Sequence, residues 1–169
     1  IRVEPGDAVA IFGAGPVGCM IAQFAWMMGA GAVAVVDVVA ERLESARMAT
    51  RCETINAALV EPVAQMRRMS GGAGFDVAVG AAGAPATLVA AVECVRKAGR
   101  VLIIGNPSGD AVIPRGTISR VLRGELEIRG VWNADFSCLP RSDWESVIEA
   151  FGRGDADPLP LITHRVPLE

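Results

Sequence analysis

Gly13, Gly15 and Gly18 stand in the stretch AIFGAGPVGCM, and Asp37 follows about twenty residues beyond the last of them. Glycines at G-x-G-x-x-G spacing can do one specific job when a strand precedes them and a helix follows. The first permits a tight turn, the second lacks the Cβ that would keep backbone away from a pyrophosphate, and the third lets the helix pack closely. The N-terminal N–H groups and dipole of that helix then attract phosphates. A carboxylate ending the next strand accepts hydrogen bonds from the adenosine ribose hydroxyls of NAD and repels the 2′-phosphate of NADP. Asp37 has that place, so the residues point to NAD. Arg42, one helical turn on, leaves two other readings open: a guanidinium for a 2′-phosphate, or a solvated side chain stacked over adenine.

Other reactive side chains lack partners at useful spacing. Cys19, Cys52, Cys94 and Cys138 are scattered, with no C-x-x-C, and His164 is the single histidine. The pattern suits reduced thiols of a cytoplasmic protein rather than a disulfide or zinc framework. His164, in a proline-rich tail, reads as structural. No catalytic residue and no metal ligand is assigned. A methyltransferase turn would need glycine where Val17 stands, and the further segments of a flavoprotein are missing.

These residues need a scaffold, and the chain supplies an alternating one. At 169 residues, 51% hydrophobic and only 5% aromatic, it fits one parallel α/β domain with strands covered on both faces. The net charge of −3, with no block of Lys or Arg, argues against nucleic-acid or acidic-membrane partners. No apolar run reaches the roughly 18 residues of a membrane span. Strands are predicted at 8–12, 32–36, 54–56, 75–79, 100–104 and 126–132. Helices are predicted at 16–29, 40–49, 60–69, 85–97, 117–122 and 141–153, with 161–163 extended in the tail. Two βαβαβ halves imply a doubly wound parallel six-stranded sheet of order 3-2-1-4-5-6.

The stretch PGDAVAIFGAGPVGCMIAQFAWMMGAGAVAVVDVVAERLESAR resembles the coenzyme domain of medium-chain, zinc-dependent alcohol and polyol dehydrogenases. DVAVGAAGAP, KAGRVLIIGNP, LEIRGVWN and PLITHRVPLE are similar to later parts of that family in the same order. Within it, IRGVWN and DWESVIEAF most resemble the sorbitol and galactitol-phosphate branch. The resemblance implies a Rossmann fold with Gly13, Gly15, Pro16, Val17 and Gly18 at the pyrophosphate. It implies Asp37, Val38 and Arg42 at adenosine, and Ala81 and Ala82 as a wall beside the cofactor. Gly105, Asn106, Val131, Trp132 and Asn133 would border the nicotinamide. One departure is ATRCET, residues 49–54, where the family usually turns through Gly-Ala-Asp.

The family's second, catalytic domain, with its zinc ligands, has no counterpart in the chain. Residues 1–169 therefore read as an NAD-binding domain excised from a longer dehydrogenase, inactive alone, with zinc expected only in the missing domain. The resemblance implies hydride transfer between NAD and an alcohol or polyol, and a homodimer formed through the edge strand near 126–132. Arg129→Pro is expected to weaken that dimer by removing a ladder donor. Two alternatives stand beside this reading: a zinc-independent NADPH quinone or enoyl reductase of the same superfamily, and a non-catalytic dinucleotide sensor.

Overall fold

Six strands form the sheet of the molecule, with apolar runs rich in Val and Ala at its centre and polar strands at its edges. They are Ala8–Phe12 (β1), Ala32–Asp37 (β2), Glu53–Asn56 (β3), Phe75–Gly80 (β4), Val95–Ile103 (β5) and Glu127–Gly130 (β6). Between and after them lie Pro16–Met27 (α1), Ala40–Ala49 (α2), Pro62–Met69 (α3), Pro85–Cys94 (α4), Arg115–Gly124 (α5) and Asp143–Arg153 (α6). The computed structural model describes residues 2–132 and 142–167. The strands form one parallel sheet of order β3-β2-β1-β4-β5-β6, the doubly wound order that the alternation predicts.

Side chains of a strand alternate between faces, so each strand feeds two cores. Val9, Ile11, Val33, Val35, Val77 and Val79 pack with α1 and α2 through Cys19, Ala22, Leu43 and Ala46. Ala10, Phe12, Ala34, Val36 and Ala78 face the opposite layer, where Met66, Ala91 and Val92 are buried. Ala34, Ala10 and Ala78 sit side by side across three strands and have no exposed surface. Burying Phe12, Ile11 and Met66 completely contributes roughly 1.5–3 kcal/mol for each side chain.

The amino ends of the central strands are tied by charge. Asp7, just before β1, receives Arg100 of β5 at 2.6 Å, with both side chains largely buried. Asp76 of β4 accepts the Ala8 N–H at 2.7 Å and pairs with Arg96 at 2.5 Å. Burial works against the Asp76 carboxylate, but the Ala8 amide and Arg96 outweigh it and hold its pKa below the ordinary value.

Several boundaries differ from the sequence reading. Helix α4 ends at Cys94 and β5 starts at once at Val95, not at residue 100. The apolar periodicity ran on past the helix, but Val95 is captured by Phe75 of β4. Arg100 then pairs with Val77, so the intervening residues bulge, with Ala98 at φ +55°. Helix α3 begins at Pro62 rather than residue 60, because Glu61 caps it. The tail holds a 3₁₀ turn at Leu159–Leu161, so Leu161 closes a turn, and the extended backbone begins at Ile162. Ser142 and Glu145 form a capping box that starts α6; the expected start at residue 141 lies outside the described residues.

Strand β6 is also shorter than expected, and its polarity corrects one expectation. The Val131 N–H donates to Ile103 O at 3.0 Å, and alternate residues of a strand face the same neighbour. The Arg129 N–H therefore faces β5, and the outward donors are those of Ile128 and Gly130. A proline at position 129 would break the β5–β6 ladder rather than a contact at the open edge. No helix among the described residues is long and apolar enough to cross a membrane.

Candidate functional site

The turn after β1 is built by backbone contacts. Gly13 has φ +121°, and its N–H donates to Val36 O at 2.7 Å. A Cβ at Gly13 would stand 3.0 Å from Ala82 N, and one at Gly18 only 1.9 Å from Gly13 O. The third glycine thus lets α1 close on the turn itself. At Gly15 a Cβ would meet nothing within 4 Å, so that backbone faces open space. Gly15 is the N-cap of α1 and Pro16 follows it, with no side chain capping the helix. The first-turn N–H groups are left for an external acceptor, as an anion site requires.

Asp37 completes the turn. Its Oδ2 accepts the Ala14 N–H at 2.8 Å, and its Oδ1 accepts the N–H groups of Val38 at 2.8 Å and Val39 at 3.0 Å. From its place in the chain the acid reads as a bare ribose acceptor; its first role is to lock the β1 and β2 corners together. A carboxylate offers about four lone-pair sites, so capacity for a further donor remains.

A cavity of about 660 Å³ opens at the carboxyl ends of β1, β2 and β4, within the range of small-molecule sites. Gly13, Gly15, Asp37, Val38 and Arg42 line it on one side, and Ala81, Ala82, Ala84 and Thr87 on the other. Ala81 is anchored through its N–H to Phe12 O at 2.9 Å. Ala57, Glu61, Pro62, Ala86 and Ala90, with Phe12 and Val36 from the strands, complete the lining. These residues, Ala84 and Thr87 escape the sequence reading. Only an acid directly before proline, the signature of a capped helix start, hinted at Glu61.

The remaining residues singled out in the sequence lie elsewhere. Pro16 and Val17 line a separate apolar groove of about 450 Å³, together with Val3, Phe24, Met28 and Leu102. Gly105 and Asn106 press against the turn behind the cavity wall: a Cβ at Gly105 would lie 2.4 Å from Gly83 N. Val131 continues the β5–β6 ladder, and Trp132 is 76% exposed. Asn133 lies outside the described residues, as does Cys138. The turn at 49–54 closes without glycine. Thr50 takes an extended backbone, and both its N–H and its hydroxyl donate to Ala46 O, at 2.9 and 3.0 Å.

Cys19, Cys52 and Cys94 are buried free thiols. Burial pushes Cys94 up to about 12, leaving it protonated and unreactive at neutral pH. Among the described residues no group of three or more His, Cys, Asp and Glu side chains is arranged to hold a metal ion.

The family model for zinc-binding dehydrogenases matches residues 16–153. The chain belongs to the zinc-binding dehydrogenase family. It is 31% identical over 168 residues to the sorbitol dehydrogenase of Bacillus subtilis strain 168, covering 99% of this chain and 45% of that protein. Among solved structures, an alcohol dehydrogenase from Thermus sp. ATN1 superposes with a TM-score of 0.82 at 31% identity, over 96% of this chain and 44% of that one. Galactitol-1-phosphate dehydrogenase from Escherichia coli superposes with a TM-score of 0.83 at 27% identity, over 95% and 46%. The chain therefore spans less than half the length of each relative. The zinc-binding dehydrogenase fold is present, while the described residues do not fit a metal site.

Proposed function

We propose that this chain is the NAD-binding domain of a longer zinc-dependent dehydrogenase that oxidises an alcohol or polyol. The observation that carries the reading is the Asp37–Ala14 hydrogen bond at the mouth of the cavity, which joins the ribose-side acid to the glycine turn. A nicotinamide held in this cavity would supply hydride acceptance from the carbinol carbon of the substrate. The chain's own residues hold and orient. The α1 amides behind Gly15 take the pyrophosphate, and the remaining capacity of Asp37 takes the ribose hydroxyls. Val38 and Arg42 flank adenosine, and Ala81 and Ala82 allow close approach from the far wall. Gly105, Asn106, Val131 and Trp132 border the nicotinamide. Pro16 and Val17 contribute backbone to the helix start, their side chains facing the apolar groove.

The coverage of under half of each relative supports a parent with a second domain that supplies substrate contacts and metal ligands. The wholly apolar lining of the groove beside α1 supports a covering partner there. The parent is proposed as a cytoplasmic homodimer joined along β6, whose four residues are all exposed.

Calorimetric titration with NADH and NADPH, for this chain and for Asp37→Ala, tests the reading. NADH is expected to bind better, and the variant to lose that preference. Tighter binding of NADPH would assign the specificity to Arg42 and favour an NADPH-dependent reductase. Absence of binding by either nucleotide would reject the dinucleotide reading for this chain.

A further inference from the structure

We propose that Glu61 reads the base of the dinucleotide, its carboxylate accepting a hydrogen bond from the exocyclic amino group of adenine. The inference rests on the dinucleotide reading above and deepens it by assigning a residue to base selection.

Glu61 and Asp37 are the two acidic side chains that line the 660 Å³ cavity among the described residues. Asp37 is committed to three backbone donors beside the glycine turn, on the side where the ribose belongs. Glu61 comes from a different corner, the junction of β3 and α3. Small apolar residues lie along the cavity as well: Val38, Ala57 and Pro62 near that corner, and Ala86 and Ala90 from α4. A lining of this kind suits the faces of a flat base, whereas its polar edge needs a hydrogen-bonding partner.

The local geometry makes Glu61 a fixed acceptor. It is the N-cap of α3, with extended backbone and Pro62 immediately after it. Its side chain turns back on the helix, with Oε1 accepting from the Val63 N–H at 3.1 Å and Oε2 from the Ala64 N–H at 2.6 Å. The two bonds remove the rotamer freedom that an exposed glutamate would otherwise lose on binding. Each oxygen keeps lone-pair capacity, and an ionised carboxylate can only accept. Adenine presents an N–H donor at C6, whereas hypoxanthine presents a carbonyl oxygen there that a carboxylate repels.

The test is titration of this chain with NADH and with reduced nicotinamide hypoxanthine dinucleotide, which differ only at that position and the adjoining ring nitrogen. The wild type is expected to favour NADH by roughly tenfold, the low end for a hydrogen bond to a charged group. Glu61→Ser retains an N-cap oxygen but is too short to reach the base. It is expected to bring the two affinities together while the melting temperature stays close to that of the wild type. Glu61→Gln, whose amide can donate to the hypoxanthine oxygen, is expected to narrow the ratio or reverse it. Equal affinities in the wild type, or a ratio that survives in both variants, would overturn the assignment while leaving the dinucleotide site intact. Failure of both nucleotides to bind the wild type would reject the site and this assignment together.

Discussion

Asp37 Oδ2 accepts the Ala14 N–H at 2.8 Å, so the acid that ends β2 holds the middle of the turn that ends β1. A carboxylate that served only a ribose would leave the ligand-free protein unchanged when removed. Asp37→Ala strands three N–H groups, and is expected to destabilise the ligand-free chain by about 2 kcal/mol. Urea denaturation without nucleotide checks this; a midpoint equal to that of the wild type would show that the turn stands without the acid.

The glycines at positions 15 and 18 separate binding from stability. A Cβ at Gly18 would meet Gly13 O at 1.9 Å, which forces α1 away from the turn, and Gly18→Ala is expected to cost about 3 kcal/mol. Gly15→Ala meets nothing in the ligand-free protein and is expected to melt within a few degrees of wild type. It should nonetheless weaken NADH binding, because the added methyl projects into space that a pyrophosphate would use. Thermal melts followed by circular dichroism, paired with calorimetry, separate the two effects. Equal loss of stability in both variants would contradict this division.

The Asp76 carboxylate supplies a pH-dependent element of stability. Its folded pKa lies below the ordinary 3.8, because the Ala8 amide and Arg96 outweigh the penalty of burial. Its contribution is therefore fully present above the ordinary value and fades as the pH falls through the lower, folded value. Asp76→Asn is expected to be less stable than wild type at pH 7 and to show a shallower fall in stability below about pH 4. Denaturant midpoints measured from pH 7 down to pH 3 give the comparison, and parallel curves would remove Asp76 from the acid response.

The outward N–H groups of β6 belong to Ile128 and Gly130. If two copies of the chain join edge to edge, Ile128→Pro removes one outward donor without touching the β5 ladder. Sedimentation velocity is expected to show that variant shifted toward monomer. An unchanged distribution would move the interface elsewhere.

The sequence reading succeeded where a segment's neighbours are already implied by its own pattern. The continuous apolar run of β1 and the ten residues of α2 fall within their predicted limits, because a buried strand between turn signals and a helix with Leu43 and Ala46 inward leave little choice. The junction of α4 and β5 was not legible. Its boundary is set by Phe75 across the sheet, a pairing that no local periodicity reports. At the site, glycine spacing located the turn and the distance to Asp37 located the acid. That acid's hydrogen bonds to Ala14 and Val39 depend on how two corners meet in space. Glu61 follows no fingerprint spacing, so only the fold brings it to the cavity. Gln23 escaped for the same reason. Its buried amide takes both the N–H and the carbonyl of Asp157, from 134 residues further along the chain.

The ion pairs Asp7–Arg100 and Asp76–Arg96 gather at the amino ends of the strands, and the cavity opens at their carboxyl ends. The sheet is thus fastened at one rim and open at the other. Substitutions along the open rim can reshape the cavity while the fastened rim keeps the strands in register. The cavity of this chain is therefore free to diverge without renegotiating the architecture beneath it.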